Sequence, residues 1–157
     1  MGNYVFRSTW HLDASPEAVY TALADVERYP LWWPQIRAGR RLDEASGEIT
    51  CRSLLPYDLT FVATRVVEDP VGHVLRATMA GDLNGTSEWR VSRAAGRTEA
   101  VFDEDVTVGN SMVRRAGFAA RPALRFNHDL MMRAGERGLR RYLRAAESGF
   151  SKTDARP

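Results

Sequence analysis

Six strand-like segments follow one another between Ile36 and Val108, joined by connections too short to hold a helix. The segments fall at 36–44, 48–55, 58–68, 73–80, 86–93 and 97–108. Between them stand Ala45-Ser46-Gly47, Pro56-Tyr57-Asp58, Glu68 to Gly72, Gly81 to Gly85 and Ala94-Ala95-Gly96. Such short links join neighbouring antiparallel strands, so the stretch predicts a meander. A seventh strand precedes it. Tyr4, Phe6, Ser8, Trp10 and Leu12 alternate with Val5, Arg7, Thr9 and His11, the period-two pattern of a half-buried strand.

A sheet with one apolar face must be covered, and the C-terminal segment is the only element long enough to cover it. Ala123 to Ala146 contains no proline and follows Pro122. Leu124, His128, Met132, Gly135, Leu139 and Leu143 fall on one helical stripe, and a helix of this length runs roughly 35 Å. Two short helical pieces are expected after the first strand. The first opens at Ser15-Pro16-Glu17, with Ser at the N-cap and Pro at the first helical position. The second covers Asp25 to Tyr29 and stops at Pro30, and residues 109–120 read as a loop. The predicted architecture is α+β: a curved seven-stranded antiparallel sheet around a long C-terminal helix, with a mouth beside the two short helices. One domain spans 1–147, and 148–157 form a polar, frayed tail.

Composition excludes several classes. Apolar residues make up 44% and charged residues 27%, as in ordinary globular chains. No apolar run approaches the ~18 residues of a membrane span, so no integral membrane association is expected. Net charge is +2 and the arginines are scattered among acids, which argues against DNA as a partner. The lone Cys51 and the lack of a basic-then-apolar leader point to the cytoplasm. Phosphate-loop, dinucleotide, nucleophile-elbow and zinc-helix motifs are all missing, so neither a metal nor another cofactor is expected. Cys51 would be a nucleophile only if His128 or His11 met it in space.

The motifs Leu12-Asp13-Ala14-Ser15-Pro16-Glu17-Ala18-Val19-Tyr20, Tyr29-Pro30-Leu31-Trp32-Trp33-Pro34, Gly81-Asp82-Leu83-Asn84-Gly85 with Trp89, and Phe126 to Arg133 running on to Gly135-Glu136-Arg137-Gly138-Leu139 occur in this order. In order and spacing the chain resembles the START-like superfamily (SRPBCC, helix-grip fold), especially bacterial polyketide cyclase/dehydrase-like proteins. The resemblance covers roughly residues 4 to 145. It implies a cavity between sheet and helix for a lipid, quinone or polyketide-like molecule. It leaves activity open, because one fold serves carriers, enzymes and receptors. One departure stands out: Glu104 occupies a last-strand position where similar members carry an apolar or aromatic residue.

Period two places Glu104 on the same side as Ala100, Phe102, Val106 and Val108. A carboxylate there is costly unless paired, so it either serves a ligand, pairs with an Arg, or escapes through a bulge. His128, on the apolar stripe beside Asn127, is either an acid–base group or a packing residue. Tyr142 is a lesser acid–base candidate. Trp10, Trp33, Phe61, Met79, Trp89, Phe102, Met131 and Met132 read either as cavity lining, with Asn127 and Gly135, or as plain core. Ala134, Gly135 and Gly138 either permit close packing or leave room for a ligand. Arg40 and Arg65 point inward if their strands are regular. Two functions follow: a small hydrophobic molecule is bound, or a cyclase/dehydrase uses the same cavity with Glu104 and His128. A domain that regulates a protein or RNA partner is a third class, and the oligomeric state is not legible.

Overall fold

The alternation of Tyr4, Phe6, Trp10 and Leu12 becomes β1 (Asn3–Leu12), with Tyr4, Trp10 and Leu12 buried and the odd-numbered positions exposed. The computed structural model describes residues 3–52, 57–109 and 111–153. After β1 comes α1 (Pro16–Ala24), where the Ser15 hydroxyl accepts a hydrogen bond from the Ala18 amide at 3.2 Å and so caps the helix. A 3₁₀ turn (Val26–Arg28) leads into α2 (Tyr29–Trp32). Then follow β2 (Ile36–Arg41), β3 (Ser46–Arg52), β4 (Asp58–Asp69), β5 (Val74–Gly81), β6 (Leu83–Ala94) and β7 (Arg97–Val108). The chain finishes with α3 (Ser111–Ala116), a second 3₁₀ turn (Gly117–Ala119) and α4 (Ala120–Thr153).

All seven strands form one antiparallel sheet in the order β1-β7-β6-β5-β4-β3-β2. The meander is the expected one, and β1 joins it by pairing with the last strand. On the outer surface Arg7 grips Asp103 at 2.6 Å, Asp103 meets Arg90 at 2.6 Å, and Arg90 meets Glu88 at 2.8 Å; Glu88 also pairs with Arg76. The Arg7 hydrogen bond holds the Asp103 carboxyl below the usual carboxylate range. Folding therefore favours the ionised form. This contribution is present at neutral pH and fades as pH falls below about 4.

Four expectations need correction. Pro30 does not stop the second helical piece; it sits in the first turn of α2, where its missing N–H has no partner to lose. The stretch Gly81 to Gly85 is no loop: β5 ends at Gly81 and β6 begins at Leu83, leaving Asp82 between them. Its carboxylate accepts the Thr60 amide at 2.8 Å. Residues 111–119 are helical rather than loop, since Met, Arg and Ala favour a helix, and Gly117, at φ +56, takes the left-handed turn after α3. The final helix starts at Ala120 and continues through Thr153, past the expected start of the tail at 148. Its one proline, Pro122, sits in the first turn, none follows through Thr153, and the Ser148 hydroxyl bonds back to the Arg144 carbonyl at 3.0 Å. The strand end at 53–55, the turn at Pro56 and the last four residues lie outside the described residues.

Helix α4 lies on the concave face, its buried stripe including Leu124, Met132, Leu139 and Leu143. Helix α2 wedges against it. The Trp33 indole donates to the Met131 carbonyl at 2.9 Å, and a Cβ on Gly138 would lie 1.6 Å from the Trp32 carbonyl oxygen. The two main chains therefore touch where sequence offers no side chain. Gly135 is filled likewise: a Cβ would meet the Trp33 ring at 2.6 Å and the Trp10 ring at 2.9 Å. Both glycines serve close approach. Neither leaves room for a ligand.

Candidate functional site

Inward-facing side chains of the sheet, together with α2 and α4, enclose a cavity of about 210 Å³. Phe61, Ala63 and Met79 supply part of the sheet wall, Trp89 and Phe102 continue it on β6 and β7, and Leu75 on β5 and Cys51 on β3 complete it. Trp33 closes the α2 side, and Asn127, His128, Met131 and Met132 face it from α4. Arg41, Asp43 and Glu44 rim it and are exposed, so it opens at the β2–β3 hairpin. That hairpin is built by Asp43, whose carboxylate accepts the amides of Ala45 at 2.8 Å and Ser46 at 2.6 Å. These two bonds hold its carboxyl below the ordinary range.

The polar centre is Glu104 with His128. The β7 ladders to β1 and β6 run without a register break, so no bulge diverts Glu104, which stays inward at 8% exposure. From α4 the His128 Nε2 stands 3.1 Å from Glu104 Oε2. The imidazole is stacked on Phe6 at 3.9 Å and 11°, with Phe102 nearly parallel at 6.4 Å. Its Nδ1 is buried with no hydrogen-bond partner among the described residues. An Nε2–H that donates to the Glu104 carboxylate satisfies this geometry, whereas a proton on Nδ1 would be a buried donor without an acceptor among the described residues. His128 engages one carboxylate oxygen, so Oε1 keeps capacity for a ligand hydroxyl. Such a pair can anchor a hydroxyl or exchange a proton with it.

Three candidates lie elsewhere. Trp10 is 1% exposed and packs behind the cavity wall, edge-on to Trp33 at 5.3 Å and tilted on Trp89 at 4.7 Å. Gly135 sits under the same tryptophans. Tyr142 does not line the cavity; it is half-buried and packs against the main core, near the Arg28 guanidinium. Arg40 points outward to Glu48 at 3.2 Å. Arg65 does reach the cavity edge, but it caps α1 through the Ala24 carbonyl at 3.0 Å and pairs with Glu68 at 2.6 Å. Sequence reasoning passed over Tyr4 and Phe6 as lining residues, although they share parity with Trp10. It also passed over the hairpin rim, which carries no distinguishing signal.

Cys51 lines the cavity, but burial pushes its thiol up to about 12, with the Glu104 charge adding to the effect. His11 is on the outer face with Glu99, and His128 is committed to Glu104, so neither histidine activates it. A rise from about 8.5 lowers the thiolate fraction at pH 8 by roughly 1000-fold. Iodoacetamide is therefore expected to alkylate Cys51 at least ~100-fold more slowly in the native protein than in urea. Equal rates would contradict its burial. Because folding keeps this thiol protonated, stability is retained below about 8.5 and declines as pH rises from there toward 12.

Residues 5–145 match the family described as polyketide cyclase / dehydrase and lipid transport, and the chain belongs to that family. No curated protein matches the chain. Among solved structures, the Zhui aromatase/cyclase from Streptomyces sp. R1128 is similar at 18% identity and TM-score 0.73, over 87% of this chain and 91% of that one. A protein from Thermus thermophilus superposes at TM-score 0.79 and 15% identity, over 91% and 99%. A START superfamily protein from Mycobacterium smegmatis does so at 0.57 and 19%, over 85% and 97%. These likenesses establish the helix-grip fold. No helix among the described residues is long and apolar enough to cross a membrane.

Proposed function

We propose that this protein binds a small, ring-containing hydrophobic molecule bearing a hydroxyl group, held between the sheet and α4. The observation that carries this reading is an apolar cavity of about 210 Å³ with a hydrogen-bonded carboxylate–imidazole pair on its wall. An apolar cavity of about 150 Å³ holds benzene, so the enclosed space suits one or two fused rings. A longer lipid, quinone or polyketide-like chain would extend through the hairpin mouth. The Glu104 carboxylate supplies the polar contact that fixes orientation, as few well-placed polar groups do in apolar pockets. A cytoplasmic setting belongs to the same reading, since the chain's one cysteine is a buried free thiol.

Native mass spectrometry of protein purified from its own host is expected to show a one-to-one adduct that dissociates on unfolding. In delipidated protein, β-naphthol is expected to bind more tightly than naphthalene, and Glu104→Gln to narrow that preference about tenfold by weakening a charge-assisted hydrogen bond. Equal affinity of wild-type protein for the two would remove the role given to Glu104.

The same pair favours a second reading, a cyclase/dehydrase that folds a reactive chain in the cavity while Glu104 and His128 move protons. With a polyketide-like substrate, Glu104→Gln and His128→Ala would each lower turnover at least ~10-fold with the fold retained. Wild-type rates in both variants would exclude that mechanism and leave binding alone.

A further inference from the structure

We infer that α3, the turn after it and the first two turns of α4 form a docking surface for an anionic lipid bilayer, beside one end of the cavity; the role in ligand exchange rests on the binding reading above. From Val106 to His128 the sequence holds Arg114, Arg115, Arg121 and Arg125 and no Asp or Glu. The local charge of +4 exceeds the +2 of the whole chain. Arg114, Arg115 and Arg125 are exposed, and so are Phe118 at 83% and Phe126 at 60%. Exposed Ala119, Pro122 and Ala123 fill the ground between the two phenylalanines. In sequence no Asp or Glu stands within ten residues of Phe118, whereas Leu31 is four residues from Glu27 and Val71 two from Asp69.

The surface is joined to the cavity through its rings. The Arg121 guanidinium lies 4.7 Å from the centre of the Phe118 ring and 5.7 Å from that of Tyr4, and Arg125 lies 5.8 Å from that of Phe6. Tyr4 and Phe6 line the cavity, as does Leu124 on the same turn of α4. An apolar molecule leaving a bilayer at this face thus meets the cavity wall one ring away. A protein partner would need a shaped pocket for Phe118, which projects from a short turn. A bilayer interface accepts a projecting aromatic without shape matching and attracts the arginines around it. Each cation near an anionic surface strengthens association roughly fivefold.

Co-sedimentation of the full chain with phosphatidylcholine vesicles, with and without phosphatidylglycerol, tests this. Binding is expected only to the mixed vesicles and is expected to weaken as salt rises. Phe118→Ser and the double change Arg114→Glu/Arg115→Glu are each expected to weaken it at least ~10-fold. The same samples are titrated with β-naphthol in solution, where both variants should match the wild type. Failure to bind mixed vesicles while β-naphthol still binds would overturn the docking surface and leave the cavity reading standing. Vesicle binding without β-naphthol binding would uphold the surface and sink the cavity reading instead. Binding that Arg114→Glu/Arg115→Glu weakens but Phe118→Ser leaves intact would mean general attraction to polyanions, acidic proteins or RNA among them, and would also overturn it.

Discussion

Gly138→Ala is expected to destabilise the protein by about 3 kcal/mol, at the upper end of the usual cost of overpacking. In an exposed helix the same change would help, because glycine there costs about 1 kcal/mol against alanine. Here the new methyl would overlap the Trp32 carbonyl, and main chain cannot rotate aside as a flexible side chain can. Helix α4 would have to move away from α2. That movement would stretch the Trp33–Met131 hydrogen bond and loosen the packing of Leu139, which is 0% exposed. Gly149, on the same helix with nothing within 4 Å of its Cβ position, is the control: Gly149→Ala should raise stability by up to about 0.5 kcal/mol. Urea unfolding followed by circular dichroism reads both, with an unchanged m value showing that stability alone has shifted. A Gly138→Ala midpoint equal to that of the wild type would mean the two helices are not in contact.

His128→Leu is expected to cost about 2–3 kcal/mol, because it leaves the Glu104 carboxylate buried among apolar groups without its donor. Glu104→Leu in the same chain should restore most of that loss, since replacing both partners of a buried hydrogen bond by apolar groups of similar shape is often nearly neutral. Glu104→Gln should cost less than His128→Leu, as the amide oxygen still accepts from Nε2. The double-mutant cycle would then give a coupling of about 2 kcal/mol. The stack of the imidazole on Phe6 is partly replaced by leucine, so most of the coupling belongs to the hydrogen bond. Additive losses would show that the two side chains act independently.

The sheet was largely legible because period two is a direct signature of strands: the parity that buries Trp10 and Leu12 also carries Glu104 inward. The β5–β6 connection was not. Leu83-Asn84-Gly85 has turn composition, yet Gly85 is a strand residue whose Cβ would lie 2.0 Å from the Asp105 carbonyl oxygen. There glycine serves close approach between strands rather than a reversal. The site was legible in halves. Strand parity placed Glu104 and the helical stripe placed His128, but the register of helix against sheet depends on packing that no local pattern encodes. For the same reason Trp10 and Trp33 were indistinguishable in sequence. The insertion of α2 makes Trp33 a cavity wall and Trp10 the packing behind it.

The central claim is that the space between sheet and α4 is a binding site rather than a packing defect. Ala63 lines that space, and a large side chain there would fill it from the sheet side. Fluorescence titration of delipidated wild-type protein and of Ala63→Trp with β-naphthol is the direct measurement, after circular dichroism confirms that both are folded. The wild type should bind one equivalent saturably, and the filled variant at least ~10-fold more weakly, because its ring occupies the volume the ligand needs. Equal binding by the two proteins, or none by the wild type, would contradict it.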